Sequence, residues 1–230
     1  MEGRFARVVA WLLVAGLLAP MPGSADRIKE WNPTIIPAQF SPDITNDYFL
    51  LPVGRILRYE GPSKDGTETL EVRVTSQTKN VMGVTTRVVI ETHRLNGQVV
   101  EVSENWFAQH QDGTVWYFGE FSQEYVNGVP QNSAGSWEAG VADALPGIVM
   151  KGDPQPGDTY YQEFAEGVAQ DQAQVMSVTE TTTVPYGTFS MVVRTKDWTA
   201  LEPASREKKY FAPGVGLIID DNVQLVSITG

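Results

Sequence analysis

Glu91 and His93 stand two residues apart in the apolar, β-branched run Val88-Val89-Ile90-Glu91-Thr92-His93. On an extended strand that spacing puts both side chains on one face. A carboxylate and an imidazole there can ligate a metal or pass a proton. Glu104 or His110 could approach from the next strand, but spacing supplies no third ligand. The pair is therefore a weak metal candidate, and no catalytic residue is assigned. Asp153, Asp158, Asp171, Asp220 and Asp221 offer hard oxygen atoms for weak calcium binding, yet no segment has the alternating D-x-D-x-D-G spacing of a loop site. With 28 acidic residues some carboxylate pair always suits a glycosidase, so that signal has no specificity. No G-x-S-x-G, H-E-x-x-H, P-loop or dinucleotide fingerprint is present.

Composition removes further chemistry. The chain has no cysteine and two histidines, which excludes thiolate zinc sites, iron–sulfur clusters, cysteine nucleophiles and multi-histidine metal centres. No cofactor is expected. A net charge of -11 argues against nucleic acid as a partner, because phosphate binding needs clustered Lys and Arg.

The densest unusual feature is aromatic. Trp106, Phe107, Trp116, Tyr117, Phe118, Phe121, Tyr125 and Trp137 fall within 32 residues. Trp116 and Phe118 share one strand face while Tyr117 takes the other, so the cluster divides between two faces. Trp106, Trp116, Phe118, Phe121, Tyr125 and Trp137 are the candidate ligand-binding residues, either as the wall of an apolar cavity or as a stacking surface. Ordinary aromatic core packing is the competing explanation.

These residues need strands to position them. Leu70 to Thr75 and Gln98 to Ser103 alternate apolar and polar at period two. Turn signals recur at Lys64-Asp65-Gly66, Leu95-Asn96-Gly97, Gln111-Asp112-Gly113, Val126-Asn127-Gly128 and Pro185-Tyr186-Gly187. Ten to twelve strands are expected, with 164–176 ambiguous between helix and strand. The predicted fold is all-β: an antiparallel meander forming a barrel or strongly curved half-barrel, which leaves no exposed sheet edge. At an offset of 104 residues, Val74-Thr75, Thr78, Gly83, Val88-Val89 and Phe107-Ala108 recur as Val178-Thr179, Thr182, Gly187, Val192-Val193 and Phe211-Ala212. That weak repeat raises, without fixing, an origin from two similar halves.

Residues 1–25 read as a Sec signal peptide: Arg4 and Arg7, an apolar run from Val8 to Leu18, Pro20 and Pro22, then Gly23-Ser24-Ala25. The run is too short to span a bilayer core of roughly 30 Å. Cleavage after Ala25 leaves 205 residues with a net charge of -12. A lipid anchor would need a cysteine at the cleavage site, so the expected location is the periplasm or outside the cell, free of the membrane. An extended arm follows over 26–47, then one β domain over 48–230, its halves spanning about 48–131 and 157–230. The loop 132–156 joins them, either as a lid over the barrel mouth or as a crossover.

Two segments resemble uncharacterised exported bacterial all-β proteins. Asn46-Asp47-Tyr48-Phe49-Leu50-Leu51-Pro52-Val53-Gly54 is similar to their opening, and Tyr210-Phe211-Ala212-Pro213-Gly214-Val215-Gly216-Leu217 to their closing hairpin. The resemblance implies an architecture like the half-barrels of periplasmic lipoprotein carriers and, more distantly, calycin barrels, which hold apolar ligands. It implies no activity. The leading expectation is an exported, non-catalytic protein that binds an apolar or amphipathic small molecule, such as a lipid-like ligand. A surface module recognising a glycan or partner protein through exposed aromatics is the alternative, and an enzyme of unknown reaction the third. Oligomeric state is left open.

Overall fold

The computed structural model describes residues 31–230; the signal-peptide reading of residues 1–25 and the first residues of the arm lie outside that range. Sixteen strands form one antiparallel sheet: β1 (Phe40–Ser41), β2 (Ile56–Ser63), β3 (Gly66–Val81), β4 (Val84–Leu95), β5 (Gln98–His110), β6 (Val115–Val126), β7 (Val129–Pro130) and β8 (Trp137–Glu138). The second set is β9 (Leu145–Met150), β10 (Thr159–Tyr161), β11 (Glu163–Phe164), β12 (Asp171–Val184), β13 (Gly187–Thr199), β14 (Glu207–Ala212), β15 (Gly216–Asp220) and β16 (Val223–Thr229). Eleven have five residues or more, within the expected number; the other five are short pieces of two or three. The ambiguous 164–176 stretch is strand at Phe164, the end of β11, and again from Asp171 onward in β12.

Each turn signal closes a hairpin. Asn96-Gly97 and Asn127-Gly128 all take positive φ, the conformation a type I′ turn requires. The β3–β4 hairpin closes the same way on Met82-Gly83, with φ 52° at Met82, which no turn-forming side chain announces.

Neighbouring strands run in the order β10-β12-β13-β14-β15-β16-β2-β3-β4-β5-β6-β9-β11. The sheet is thus nearly closed into a barrel, with one unsealed seam whose two edges are consecutive in the chain. Residues 159–164 cross it: β10 pairs with β12 on one side, β11 with β9 on the other. The bond from Gln162 N to Asp171 O, 2.7 Å, extends the β10–β12 ladder up to the point of crossing. Gly147 is required where the crossing passes, because a Cβ there would lie 2.1 Å from Gln162 O. The 132–156 segment is not a bare loop. It supplies β8 and β9 to the wall beside β6 and buries Ala139, Ala144, Ile148 and Met150.

The weak repeat has a structural counterpart. The long hairpins β3–β4 and β12–β13 each close on a two-residue turn, and each carries register shifts, around Val74–Thr78 and around Val175–Thr182.

The arm is docked. Residues Pro37–Gln39 make one 3-10 turn, β1 pairs with the end of β5, and Ile44 is buried. Asn46 fixes the next turn. Its Oδ1 accepts from the amides of Tyr48 (2.9 Å) and Phe49 (3.1 Å), and its Nδ2 donates to the carbonyls of Gly113 (2.9 Å) and Lys151 (3.0 Å). This turn pushes Phe49 into the barrel against Phe107 and Phe211, ring centroids 5.3 and 6.5 Å away. The opening and closing motifs meet here: Gly214 N donates to Asp47 O, and Arg55 Nη1 to both Leu50 O and Val215 O. They act together as a plug in the barrel.

Candidate functional site

Above the plug lies a cavity of about 100 Å3. Its floor is apolar, with Phe49, Phe107, Phe211 and Leu217, and it shares residues with a second apolar pocket of about 50 Å3 around Leu57, Tyr59 and Val72. Its upper wall is polar. Cross-strand register explains the grouping: Glu91 opposes Ser103 and His93 opposes Glu101 between β4 and β5, while Asn105 opposes Glu120 between β5 and β6. Opposed residues share a sheet face, so alternate residues of three strands deliver one polar patch.

Glu120 reaches this patch through a bulge. Between Asn105 and Phe107 on β5 lie two steps, but between Glu120 and Tyr117 on β6 lie three. The extra residue resets the alternation. Gly119 provides it, with φ 133°; a Cβ there would lie 2.4 Å from Trp137 O. Tyr117 and Glu120 therefore both line the cavity, and the Tyr117 hydroxyl donates to Asn105 Oδ1.

The opposite wall comes from the second half. Thr195 opposes Lys209, and Lys209 opposes Asp220. Lys209 Nζ lies 3.6 Å from Asp220 Oδ1 and 3.8 Å from Asp197 Oδ2. Burial works against the lysine's charge, but the carboxylates of Asp220, Asp197, Glu207 and Asp171 outweigh it and hold its pKa well above the ordinary value. Burial pushes Asp197 up to about 6 and Glu207 up to about 8, with Lys209 opposing both shifts.

At the seam, Glu163 is buried, 3% exposed, and its pKa is raised well above the ordinary carboxylate range by desolvation and by Asp171. Glu120 is raised likewise, by desolvation and then by Glu163. Burial also lifts Glu101 to about 7, while His93 and the Ser122 hydroxyl, 2.9 Å away, pull it down. His93 itself is raised: burial lowers it, but Glu91, at 3.9 Å, and Glu101 prevail. Carboxyl groups in a closed space cannot all ionise together, and this chamber stays short of cations.

Several buried polar atoms remain unsatisfied. Glu163 Oε2 and Asp171 Oδ1 accept no hydrogen bond, and the neighbouring Trp137 Nε1 makes none. The charge of Lys209 and then hydrogen bonding from the Trp137 indole pull the Glu163 carboxyl's pKa down, although the indole N–H is not aimed well enough at either oxygen to count as a bond. Such orphaned groups cost about 1–3 kcal/mol each, so their retention inside a cavity points to use.

The six aromatic candidates are dispersed. Trp116 and Phe118 lie on the other face of β6 from Tyr117, covered by the arm: Trp31 sits 6.0 Å from Trp116, and Phe40 sits 6.2 Å from Trp116 and 5.5 Å from Phe118. Trp31 also donates from Nε1 to Pro146 O. Trp106 packs beneath Lys79, whose Nζ is 3.2 Å from the ring centroid and 2.7 Å from Glu138. Trp137 meets Tyr117 edge-on at 5.4 Å, behind the chamber wall. Phe121 is 47% exposed on the outer face, and Tyr125 is half-buried near the β6–β7 hairpin. None of the six lines the chamber; Phe107 and Tyr117, stacked at 4.7 Å, do.

Of the weak metal pair, both members line the chamber. Among the described residues, no three His, Asp or Glu side chains gather as a metal site. The calcium candidates also separate. Asp171 and Asp220 face the chamber, whereas Asp158 binds Lys151 and the amide of Gln155 near Asp153, and Asp221 lies in the β15–β16 turn.

Strand alternation alone could have found Glu101, Ser103 and Asn105 once Glu91 and His93 were taken as inward. Glu120, Glu163 and Lys209 were beyond it. Comparison with known protein families, with curated proteins and with solved structures gives no match.

Proposed function

We propose that the chain is an exported, non-catalytic protein that binds a small amphipathic molecule inside its barrel. The observation that carries this reading is the chamber, with aromatic rings on its floor and unsatisfied polar atoms on its wall. Ligand sites combine these features: apolar area for affinity and a few convergent polar groups for orientation. Size limits the ligand to a few heavy atoms in the chamber itself, since about 150 Å3 accommodates a benzene ring. A full acyl chain exceeds it, so a short body with one polar end suits the space best.

Binding suits the interior better than turnover. Ser122, whose hydroxyl donates to Glu101, is not among the residues that line the chamber, and Ser103, which does line it, accepts from Asn105 Nδ2 at 3.0 Å. For glycan recognition an exposed aromatic row is needed, but Trp106, Phe118 and Trp137 are buried and Trp116 lies under Trp31.

Export rests on the charged, apolar and small-residue order of the first 25 residues. The interior reading is tested by amide NMR of the protein with and without the compounds it carries when isolated from its host. Shifts at Ser103, Asn105 and Tyr117 are expected, and shifts confined to Phe121 and Tyr125 would move the site to the surface.

A further inference from the structure

We infer that the molecule held in this chamber carries a cationic nitrogen, an alkylammonium in class, seated against Glu163. The inference rests on reading the interior as a small-molecule site and adds the ligand's charge. Two basic side chains line the chamber, and each already faces acids: Lys209 is set against Asp220 and Asp197, and His93 against Glu91. Lys209 also acts on Glu163 and Asp171 through its charge, but among the described residues it pairs directly only with Asp220 and Asp197, and no cation forms an ion pair with Glu120, Glu163 or Asp171. Glu163 is 3% exposed, lines the chamber and presents an oxygen, Oε2, that accepts no hydrogen bond from the described residues; Asp171, whose carboxyl Thr199 pulls down, also leaves its Oδ1 without such a bond.

An ammonium group supplies what is missing there. Each of its N–H donors can meet one orphaned oxygen, and its charge offsets carboxylates that otherwise hold protons to avoid repulsion. The stacked Phe107–Tyr117 pair next to these acids offers ring faces that attract a cation's alkyl periphery. Phe211 and Leu217 give the alkyl body an apolar seat. A bare metal ion fits less well, since no three ligating side chains converge among the described residues and Phe49, Phe107, Val149, Phe211 and Leu217 line the same space.

The test is isothermal titration at pH 8 of the full mature chain with n-butylammonium, n-butanol, butyrate and calcium chloride, using wild type and Glu163→Gln. Butylammonium is expected to bind at least tenfold more tightly than butanol, with butyrate weakest. Glu163→Gln should erase that advantage while butanol binding persists, and Glu120→Gln provides the same comparison if the first variant does not fold. Equal binding of butanol and butylammonium would overturn the cationic inference and leave the interior site standing. Absence of binding by all three organic probes would overturn both. Calcium binding that Glu163→Gln abolishes, without butylammonium binding, would assign the site to a metal and also overturn the inference.

Discussion

Asn46 is the residue on which the plug depends, and its replacement gives the sharpest structural prediction. The side chain is 7% exposed and makes four hydrogen bonds to backbone, two as acceptor and two as donor. At about 1 kcal/mol net for each bond, Asn46→Ala costs about 4 kcal/mol. For a domain of this size that corresponds to a fall in Tm of about 8–16 °C. Urea unfolding followed by tryptophan fluorescence measures the first quantity, calorimetry the second. Asn46→Asp separates the two halves of the network: its carboxylate still accepts from Tyr48 and Phe49 but repels the carbonyls of Gly113 and Lys151. Its loss should shrink below about pH 4, where a protonated acid can donate one O–H. Hydrogen exchange at the Phe49 amide should quicken in Asn46→Ala, which loses the side-chain acceptor that seats that ring on the chamber floor, and less in Asn46→Asp, which keeps it. A cost of about 0.5 kcal/mol, ordinary for a surface site, with unchanged Phe49 exchange, would refute the role of Asn46 as the plug's anchor.

Three more expectations concern the chamber wall. Lys209→Met leaves Asp197 and Asp220 buried without their cation, so at pH 7 it should cost about 3–5 kcal/mol, and less at pH 4, where Asp197 takes a proton; equal melting of variant and wild type at pH 7 would remove the lysine's role. Glu101, at about 7 in the fold against 4.5 ordinarily, holds its proton more tightly folded than unfolded. Its contribution is complete below pH 4.5 and disappears as pH rises through 7, up to about 3 kcal/mol. Urea unfolding at pH 5 and pH 8 should thus show a smaller decline in Glu101→Gln than in wild type, and parallel declines would contradict the assignment. Gly119→Ala forces a Cβ onto Trp137 O and a strained φ on alanine, which should cost about 3 kcal/mol or more by calorimetry; a near-neutral result would show that the bulge does not need glycine.

Much of the wall was legible in the chain. Alternation at Leu70–Thr75 and Gln98–Ser103 marks strands because side chains on a pleat alternate, and Asn-Gly pairs mark hairpins because few other pairs tolerate two positive φ angles. Glu91 and His93 were legible as neighbours for the first reason. The rest of the chamber was hidden by tertiary effects. Counting by two places Glu120 with Trp116 and Phe118, and only the bulge at Gly119 turns it inward. Glu163 lies in a strand of two residues at the seam, too short to carry a period. Lys209 sits within Glu207-Lys208-Lys209, which has the composition of a solvated face. Trp116 and Phe118 share a face, but that face meets the arm, a segment whose prolines give no periodic hint of where it docks. Asn46 and Gly214 lie far apart in sequence, so neither motif alone reveals that the two form one plug.

The most direct measurement of the central claim is native mass spectrometry of the protein isolated from its own host, taken before and after denaturation. A small molecule of a few heavy atoms, bound in the native spectrum and released on denaturation, is the predicted result. A native mass equal to that of the polypeptide alone, in preparations never exposed to denaturant, would contradict the assignment of the barrel interior as a ligand site.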